Sequence, residues 1–599
     1  MATVAHRALY CQEIAANVFE HLAPMTLVEM FQEHPGFQPR VEATRLRLRL
    51  TLLHCALTCK ALSEPALDVL WMRLDDLLPL LMLVPKARNE QYRDCDSNVE
   101  VDEDEWERFQ RYARRVRVLH HCTSSRWSNY EIDLFTRLSR RAGGAPLFPR
   151  LRYLRRLTVL PCRVGPLIET ALLSPGLRRL SITFTAEATR GGCQIAIEGV
   201  KALHSISPCL EHLSLEIEDA ITHAITRYEV VQILPTLVGA FRGLRHLAID
   251  KECILETTAL IQLSRMESLE YLSASLGLPF DAENRPTADL HFGTFPTLKH
   301  VSLSGCGDHF ALFFSASSMP LLESLALQLV RDREPLDFLK CVTTVLRNVP
   351  HTLTSLELTS ARQQSLYWFE TTNPPDPPDA LLRLLEPALK NMRALQRVVV
   401  DLVYLPPVDD ASIERMLAAW PALAELRIDV GRRSDASTSD GPLRRPTLNA
   451  LVTIGTRYPG LRWLELPQTD VAMAGRLCEK LSSPGGHHKL RRLLLDPWQA
   501  ADCDLEGRRI KRKGDNGQWK YDVALLLDRL FPFLELPPSF RRDETKWTPV
   551  LEYLMCMQAG RWQAGLLEEV EPRTMAEVGL TEDFVDVRVY GWCPSTLPC

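Results

Sequence analysis

A short leucine-rich phrase, L-x-x-L-x-L, recurs along most of this 599-residue chain and constrains its fold more than any other feature. Successive phrases begin 23 to 42 residues apart, about 30 on average. A phrase repeated at such a period indicates a repeat array, in which each unit packs only on its neighbours. The twelve starting residues are Leu154, Leu177, Leu210, Leu244, Leu269, Leu298, Leu322, Leu353, Leu395, Leu423, Leu461 and Leu490.

Helix-like stretches separate the phrases, for example at residues 336–346, 380–389 and 413–417. One strand and one helix in a period near 30 are typical of leucine-rich repeats. We therefore predict an α/β leucine-rich-repeat solenoid over residues 149–500, with a parallel sheet inside and helices outside. The leucine phrase then stops, and residues 501–599 are predicted to form a C-terminal cap region.

Strand alternation predicts which side chains of each phrase face a partner. The leucines point into the array, whereas the third, fifth and seventh positions line its concave face. Fifth positions are small through the first seven phrases. The predicted client-binding residues occupy the third position of the first six phrases: Arg156, Arg179, His212, His246, Tyr271 and His300.

We hypothesise that this strip holds an acidic client segment, phosphorylated or not. Arg156 and Arg179 could each grip a carboxylate or phosphate through two parallel hydrogen bonds. The alternative is a polar, solvent-facing sheet surface without a specific partner.

The N-terminal residues 9–75 do not follow the repeat. Ile14, Val18 and Leu22 recur every four residues, which predicts one apolar face on a short helix. A second apolar helix is predicted through residues 52–62. This pattern alone predicts a helical cap over the open end of the array, which a solenoid needs in any case.

The sequences of these two predicted helices resemble the F-box, the adaptor-binding motif of SCF-type ubiquitin ligases. Residues 12–22, Q-E-I-A-A-N-V-F-E-H-L, are similar to its opening helix, and residues 57–63, L-T-C-K-A-L-S, to its V-C-K/R-x-L core. Residues 63–71 resemble the closing segment of fungal members. The chain departs from the motif at Cys11, where proline is usual, and by an insertion at roughly residues 23–49.

An F-box followed by leucine-rich repeats is a recurrent family arrangement. The resemblance implies a non-catalytic substrate receptor that binds a Skp-type adaptor, and through it a cullin, while the repeats bind an unknown client. The alternative is a leucine-rich-repeat interaction scaffold unconnected to ubiquitin. The adaptor-binding residues that the resemblance implies are Ile14, Val18, Leu22, Leu57, Cys59, Lys60 and Leu62.

Charge and hydropathy argue against two other partner classes. The net charge of −5 gives no general attraction to nucleic acid or to an anionic membrane. The apolar stretch at 77–84 is too short, and too interrupted by proline, to span a bilayer. Residues 86–148 are predicted to be an acidic linker with a helix that leads into the repeats. We expect neither nucleic-acid nor membrane binding.

The 16 cysteines are scattered and include no C-x-x-C pair, which suits free thiols in the cytoplasm or nucleus. Cys55 and Cys59 lie one helical turn apart, so core packing is favoured over metal binding. The run from His120 to Cys122 lacks a third group to orient a nucleophile. We expect no enzyme, no metal and no cofactor; a thiol or metal enzyme is the weakest alternative.

Overall fold

The structure, a computed structural model, describes part of the chain. The described residues are 14, 17–19, 38–84, 101–120, 129–159, 171–185, 203, 206–218, 241–251, 253–278, 291–330, 335–360, 380–402, 408–430, 445–471, 473–480, 488–498, 518–534 and 548–563. The chain divides into two compact units. The first comprises residues 1–446, 460–468 and 494–496, and the second comprises 447–459, 469–493 and 497–599.

A 15-stranded sheet dominates the first unit, and its strands follow one another in chain order except β7, which pairs beside the path with β8. Its strands are β1 (Arg73–Leu74), β2 (Val118–Leu119), β3 (Tyr153–Val159), β4 (Arg179–Thr185), β5 (His212–Glu218), β6 (His246–Ile249), β7 (Ile254–Leu255), β8 (Tyr271–Leu276), β10 (His300–Gly305), β12 (Ser324–Leu329), β13 (Ser355–Ser360), β14 (Arg397–Leu402), β15 (Glu425–Val430), β16 (Trp463–Asp470) and β17 (Arg492–Trp498). Strands β9 (Gly293–Thr294) and β11 (Ser317–Ser318) form a separate parallel pair.

The leucine phrase produces this sheet because its apolar residues alternate along each strand. Leu325 on β12 and Leu358 on β13 are fully buried, whereas the residues on either side of each one along its strand are partly exposed. The strands pair in parallel, so equivalent leucines form continuous rows across the sheet. Where the connections between strands are described, as between β10 and β12 and between β12 and β13, a helix lies in the connection, which is the usual solution for parallel pairing. The predicted α/β leucine-rich-repeat fold is confirmed.

Successive repeats are joined by a regular backbone ladder just before each strand. The amide of Glu211 donates to the carbonyl of Arg178 at 2.8 Å, and the amide of Arg245 donates to the carbonyl of Glu211 at 2.8 Å. Buried hydroxyls add a second connection, since Ser207 Oγ donates to the Ser174 carbonyl at 2.8 Å. The second position of the phrase therefore satisfies backbone groups between repeats that would otherwise lack partners.

The described helices are α1 (Gln38–Thr58), α2 (Lys60–Met72), α3 (Leu78–Leu81), α4 (Glu103–Ala113), α5 (Asn129–Arg141), α6 (Thr257–Ser264), α7 (Gly307–Ala316), α8 (Pro335–Asn348), α9 (Ala380–Leu384), α10 (Glu386–Asn391), α11 (Asp410–Ala419), α12 (Leu448–Arg457), α13 (Ala474–Lys480), α14 (Gln518–Leu530) and α15 (Thr548–Gln563). Helices α8 and α11 confirm the predictions at 336–346 and 413–417. The helix predicted at 380–389 is divided at Leu385, and Pro387 lies in the first turn of α10, where its missing amide hydrogen costs no helical bond.

The sheet begins before residue 149, where the repeats were predicted to start. Arg73 pairs with Val118, and Val118 pairs with Tyr153, so β1 and β2 extend the sheet toward the N-terminus. Each has only two residues, too few for a repeating apolar pattern to be visible in the sequence. None of the helices in the described part of the chain combines the length and apolarity needed to span a bilayer.

The second unit contains α12 to α15 around an apolar core. Phe531 is fully buried, and its ring packs edge-on against His488 at 4.9 Å between centroids. Arg529 donates to the Cys478 carbonyl at 2.6 Å, and Arg561 pairs with Asp528. Burial is the main cause that raises the pKa of Asp528, and it outweighs the nearby Arg561. These contacts stabilise the packing of the helices in the second unit.

Candidate functional site

The first candidate surface lies on the N-terminal helices. Phe19, Leu52, Ala56, Ala66 and Val69 form a buried cluster that joins residues 17–19 to α1 and α2. Because this core takes up one side of α1, the side chains on its opposite side are left outside it.

Another side of α1 carries four exposed leucines, which we call the leucine stripe. Leu46, Leu50, Leu53 and Leu57 are 60%, 46%, 39% and 76% exposed. They are spaced by four, three and four residues, so they lie on one face of the helix. A row of exposed apolar side chains on one helix face marks an interaction surface more strongly than single exposed leucines do.

One of the residues implied by the F-box resemblance, Leu57, belongs to this stripe. Ile14 is 44% exposed and Val18 51% exposed, and Cys59 and Lys60 are exposed at the start of α2. Leu62 is partly buried against the core cluster. Leu22 lies outside the described residues. Their role in adaptor binding stays a prediction.

The structure corrects the predicted second helix. Cys59 is extended, with φ −157° and ψ 158°, and separates α1 from α2. The hydroxyl of Thr58 donates to the carbonyls of His54 and Cys55 at 2.8 and 3.0 Å, which satisfies two acceptors of the last turn of α1. The motif at 57–63 therefore lies across a helix junction instead of inside one helix.

Sequence reasoning missed three members of the stripe, Leu46, Leu50 and Leu53. Residues 38–49 were assigned to an insertion, but they form the first half of α1. The signal was present, since Leu46, Leu50 and Leu53 recur at intervals of four and three residues, which is helical spacing. It was obscured because alternation of arginine and leucine equally suits a strand.

Arg115 fastens these helices to the beginning of the sheet. It is 9% exposed, pairs with Glu64 and Asp68 of α2, and donates to the Glu64 carbonyl at 3.2 Å. Arg117, two residues on, donates its backbone amide to the Met72 carbonyl at 2.8 Å. The N-terminal helices are thus part of the first unit.

The second candidate surface is the open face of the sheet, formed by the third, fifth and seventh positions of each strand. Arg179, His212, His246, Tyr271 and His300 are aligned in register on β4, β5, β6, β8 and β10. The predicted alignment of these five residues is confirmed. Their contact with a client stays a prediction.

Arg156 does not belong to this column, which corrects the sequence prediction. Tyr153 aligns with Arg179, and the register shifts between Leu154 and Leu157. An extra residue in β3 therefore displaces Arg156 from the third position, as a β-bulge does. The first phrase therefore begins at Leu151, three residues before Leu154, where the leucine spacing alone places it.

Four rings follow one another across the open face, and we call them the ring column: His212, His246, Tyr271 and His300. The His212 and His246 centroids are 5.2 Å apart, and His246 stacks on Tyr271 at 3.9 Å with an interplanar angle of 2°. Tyr271 and His300 are 6.4 Å apart. At the end of the column the Arg179 guanidinium lies 6.0 Å from the Tyr153 ring.

The middle of the ring column is uncharged at neutral pH. Burial, followed by the neighbouring His212 and Arg179, lowers the pKa of His246 from 6.5 to about 4. Burial and then Arg179 lower the pKa of His212. His212 and His246 therefore add no positive charge to this face at neutral pH.

A floor of small side chains runs beside the rings. The fifth positions are Ser181, Ser214, Ala248, Ser273, Ser302 and Ala326. Beyond this floor, Glu216 and Asp250 occupy the seventh positions of their phrases, at the end of β5 and directly after β6. Ser181 and Thr183 donate to Glu216 at 3.3 and 3.5 Å, and Asp250 accepts from the Ile217 amide at 3.2 Å.

The later strands carry a different chemistry on the same face. Arg397 lies between Glu357, at 2.9 Å, and Glu425, at 3.3 Å. Arg427 pairs with Glu465 at 2.7 Å, and its guanidinium lies 4.7 Å from the centre of the Trp463 ring. The charged side chains at the third and fifth positions from Glu357 to Glu465 are therefore paired within the chain.

Neither surface offers a catalytic constellation. In the part of the chain that the structure describes, no three His, Cys, Asp or Glu side chains are grouped to hold a metal ion. His120 is buried beside Tyr153, with ring centroids 5.9 Å apart, and Cys55 packs against the N-terminal core. Cys122 lies outside the described residues.

The parallel strands, their leucine rows and the partly exposed face define a leucine-rich-repeat protein. No protein-family model matches the sequence, and no curated protein matches it. Two similar solved structures are a leucine-rich repeat-containing protein, LegL7 from Legionella pneumophila, and a complex of Rad7 and Elc1 in yeast. The first is 11% identical with a TM-score of 0.30, over 64% of this chain and 99% of that one. The second is 16% identical with a TM-score of 0.29, over 62% and 92%. At these TM-scores neither structure supports an inference about the function of this chain.

Proposed function

We propose that this chain is a non-catalytic substrate-recognition subunit of an SCF-type E3 ubiquitin ligase, acting in the cytoplasm or nucleus. Its N-terminal helices bind a Skp-type adaptor, and through it a cullin, while the open face of the sheet binds a client protein. The chain supplies proximity and no reacting group.

The observation that carries this proposal is the exposure of apolar residues that a simple helical cap would bury. Ile14, Val18 and Leu57, which the F-box resemblance implies in adaptor binding, are 44%, 51% and 76% exposed. Phe19 and Leu52, beside them in the sequence, are 5% and 0% exposed and form the core. One set of apolar residues therefore folds the helices, and a second set faces outward.

The leucine stripe strengthens the proposal because it places Leu57, one of the implied residues, in a longer exposed apolar row. Apolar anchors at helical spacing fit a groove or a second helix on a partner. Full burial of an exposed leucine side chain stabilises by about 1.5–3 kcal/mol. Burial of four partly exposed leucines therefore offsets a substantial part of the cost of association.

The test is a binding measurement between the full-length chain and a purified Skp-type adaptor. Ile14→Asp combined with Leu57→Asp is expected to weaken binding by more than about tenfold, because each places a charge in an apolar contact. Both positions are exposed, so the unfolding temperature of the variant should be unchanged.

Leu321→Asp provides the matched control, since Leu321 is 50% exposed but lies among the repeats. It should bind the adaptor as the wild type does. Leu46→Asp with Leu53→Asp tests the residues that the resemblance does not include. If the wild-type chain fails to bind the adaptor, the interaction-scaffold alternative replaces the proposal.

A further inference from the structure

The residues that directly precede the strands form a row along one edge of the sheet, which we call the pre-strand row. Along the path from β2 to β10 its members are Arg117, Arg152, Arg178, Glu211, Arg245, Glu270 and Lys299. The backbone ladder aligns them, since the Arg152 amide donates to the Arg117 carbonyl at 2.8 Å and the Arg178 amide donates to the Arg152 carbonyl at 2.9 Å. Neighbouring strands are about 4.8 Å apart, so each side chain of the row lies beside the next.

From β4 onward the pre-strand row alternates in charge and forms ion pairs within the chain. Arg178 lies 3.5 Å from Glu211. Glu270 lies between two cations, 3.7 Å from Arg245 and 3.3 Å from Lys299. The row therefore shows that a carboxylate fits between two cations carried by neighbouring strands.

The start of the row departs from this alternation. Arg117, Arg152 and Arg178 are three consecutive arginines, which we call the arginine group, and the residue before β1 is the neutral Met72. In the described part of the chain, neither Arg117 nor Arg152 pairs with a carboxylate. Arg152 is exposed and Arg117 is partly exposed, so both can reach a partner. Like charges on adjacent strands repel each other, and an anion placed between them removes that repulsion.

Arg179 adds a further positive charge beside Arg178. It lies on the open face, 6.0 Å from the Tyr153 ring, and no carboxylate of the described residues pairs with it. Burial and then Arg179 lower the pKa of His212, so this charge acts along the open face. The first strands therefore present a basic surface that extends from the arginine group onto the open face.

We propose that the arginine group binds an acidic segment of the client, with one carboxylate between Arg117 and Arg152 and another between Arg152 and Arg178. Each guanidinium can donate two parallel hydrogen bonds to a carboxylate. Glutamate or aspartate is the expected occupant because Glu270 already takes the equivalent place between Arg245 and Lys299. The inference rests on the proposed client-binding role of the repeats and is independent of the adaptor contact.

A nucleic acid is a poorer match for this surface. The arginine group extends only about 10 Å across three strands, and beyond it the row carries carboxylates. A nucleic-acid backbone needs a longer run of cations, and the whole chain has a net charge of −5.

The test uses the full-length chain without adaptor and a fluorescent peptide of glycine and serine that carries four glutamates at alternate places. Matched probes carry glutamine or lysine at those places, or two phosphoserines of about the same total charge, and a single-stranded DNA of equal length is the fifth probe. The glutamate peptide should bind at least as tightly as the phosphoserine peptide and should lose affinity in higher salt, because the contacts are exposed ion pairs. The glutamine and lysine peptides should not bind. Fluorescence anisotropy measures the affinities.

Three variants locate the binding. Arg152→Glu should weaken the glutamate peptide about tenfold, because Arg152 borders both carboxylate positions and the reversed charge adds repulsion. Glu211→Gln removes the partner of Arg178 and should tighten binding about twofold, a gain that damage to the fold would not produce. Arg462→Glu is the matched control, since Arg462 is exposed directly before β16 beside the neutral Ala424, and it should leave the affinity unchanged.

Thermal unfolding first checks that each variant is folded. Arg152→Gln, with an expected loss of roughly threefold, replaces Arg152→Glu if the charge reversal lowers the unfolding temperature. Equal binding of the glutamate peptide to the wild type and to the Arg152 variant would overturn the inference. Binding of the phosphoserine peptide alone, tightest binding of the DNA, or binding of no probe would overturn it too. Adaptor binding is measured on the same variants and should be unchanged, which distinguishes a failure here from a failure of the adaptor contact.

Discussion

The two halves of the open face are built on the same repeat and the same leucine rows, yet they differ in what they leave for a partner. On β4 to β10 the fifth positions are small and the third positions carry stacked rings. On β13 to β16, Glu357, Arg427 and Glu465 occupy fifth positions and enter ion pairs within the chain. Neighbouring strands are about 4.8 Å apart, so long opposite charges there reach one another. The later half pairs these charges within the chain, whereas in the earlier half the rings stack on one another and Glu216 accepts hydrogen bonds from two hydroxyls.

Leu325→Ala tests the buried leucine rows that both halves share, and it should have the largest effect. Leu325 is fully buried on β12, in the leucine rows that run on both sides of it. Loss of the side chain leaves a cavity and should lower the free energy of unfolding by about 2–5 kcal/mol, measured in urea. The adjacent Ser324→Ala, on the open face, should change it by less than about 0.5 kcal/mol. If both substitutions lowered the free energy of unfolding by a similar amount, the assignment of Leu325 to the buried side of the sheet and of Ser324 to its open face would be wrong.

A smaller effect distinguishes the halves from each other. Arg397→Ala removes the cation between Glu357 and Glu425 and should cost about 1 kcal/mol, a modest value because these side chains are partly exposed. The cost should decrease in 1 M salt. Glu216→Gln in the earlier half should cost less than about 0.5 kcal/mol, since it breaks no ion pair. If Arg397→Ala and Glu216→Gln lowered the free energy of unfolding equally in urea, the two halves would not differ in their internal ion pairing.

The smallest expected effect is a dependence of stability on pH in the earlier half. Burial and then His212 and Arg179 lower the pKa of His246 from 6.5 to about 4, and His300 acts in the same direction. Above pH 6.5 the ring is neutral in both states and contributes nothing. Between these pKa values the unfolded chain binds a proton that the folded chain excludes, so stability falls as the pH falls.

His246→Gln should remove up to about 1 kcal/mol of the stability lost between pH 7 and pH 5, less than the full shift implies because the ring is partly exposed. The measurement is urea unfolding of both chains at the two pH values. The same pH dependence in wild type and variant would show that His246 is not the group responsible. His309, whose pKa burial also lowers, is on α7 and serves as a comparison through His309→Gln.

Much of the fold followed from local pattern. The leucine phrases predicted the strands, their parallel pairing and the residues that face the core, because burial on one side of a strand requires a period of two. The helices at 335–348 and 410–419 were predicted because their apolar residues recur at helical spacing. These features depend on residues close together in the chain.

The candidate sites were predicted less completely, for reasons that differ between them. The residues from Arg179 to His300 were identified because each holds the same place in its phrase. Arg156 was misplaced because one extra residue in β3 moves it out of register, and neither arrangement violates the leucine pattern. On α1, Leu46, Leu50 and Leu53 were passed over because their exposure depends on which side of the helix meets Phe19 and Val69.

The sequence by itself determined the repeat, the row of third-position side chains and the resemblance of the first helices to an F-box. The tertiary structure alone decided the charge and exposure of those side chains. His246 is neutral because burial, and then His212 and Arg179 on other strands, lower its pKa. Arg427 is paired because Glu465 lies on the next strand. Such properties arise from contacts across strands, and no run of neighbouring residues encodes them.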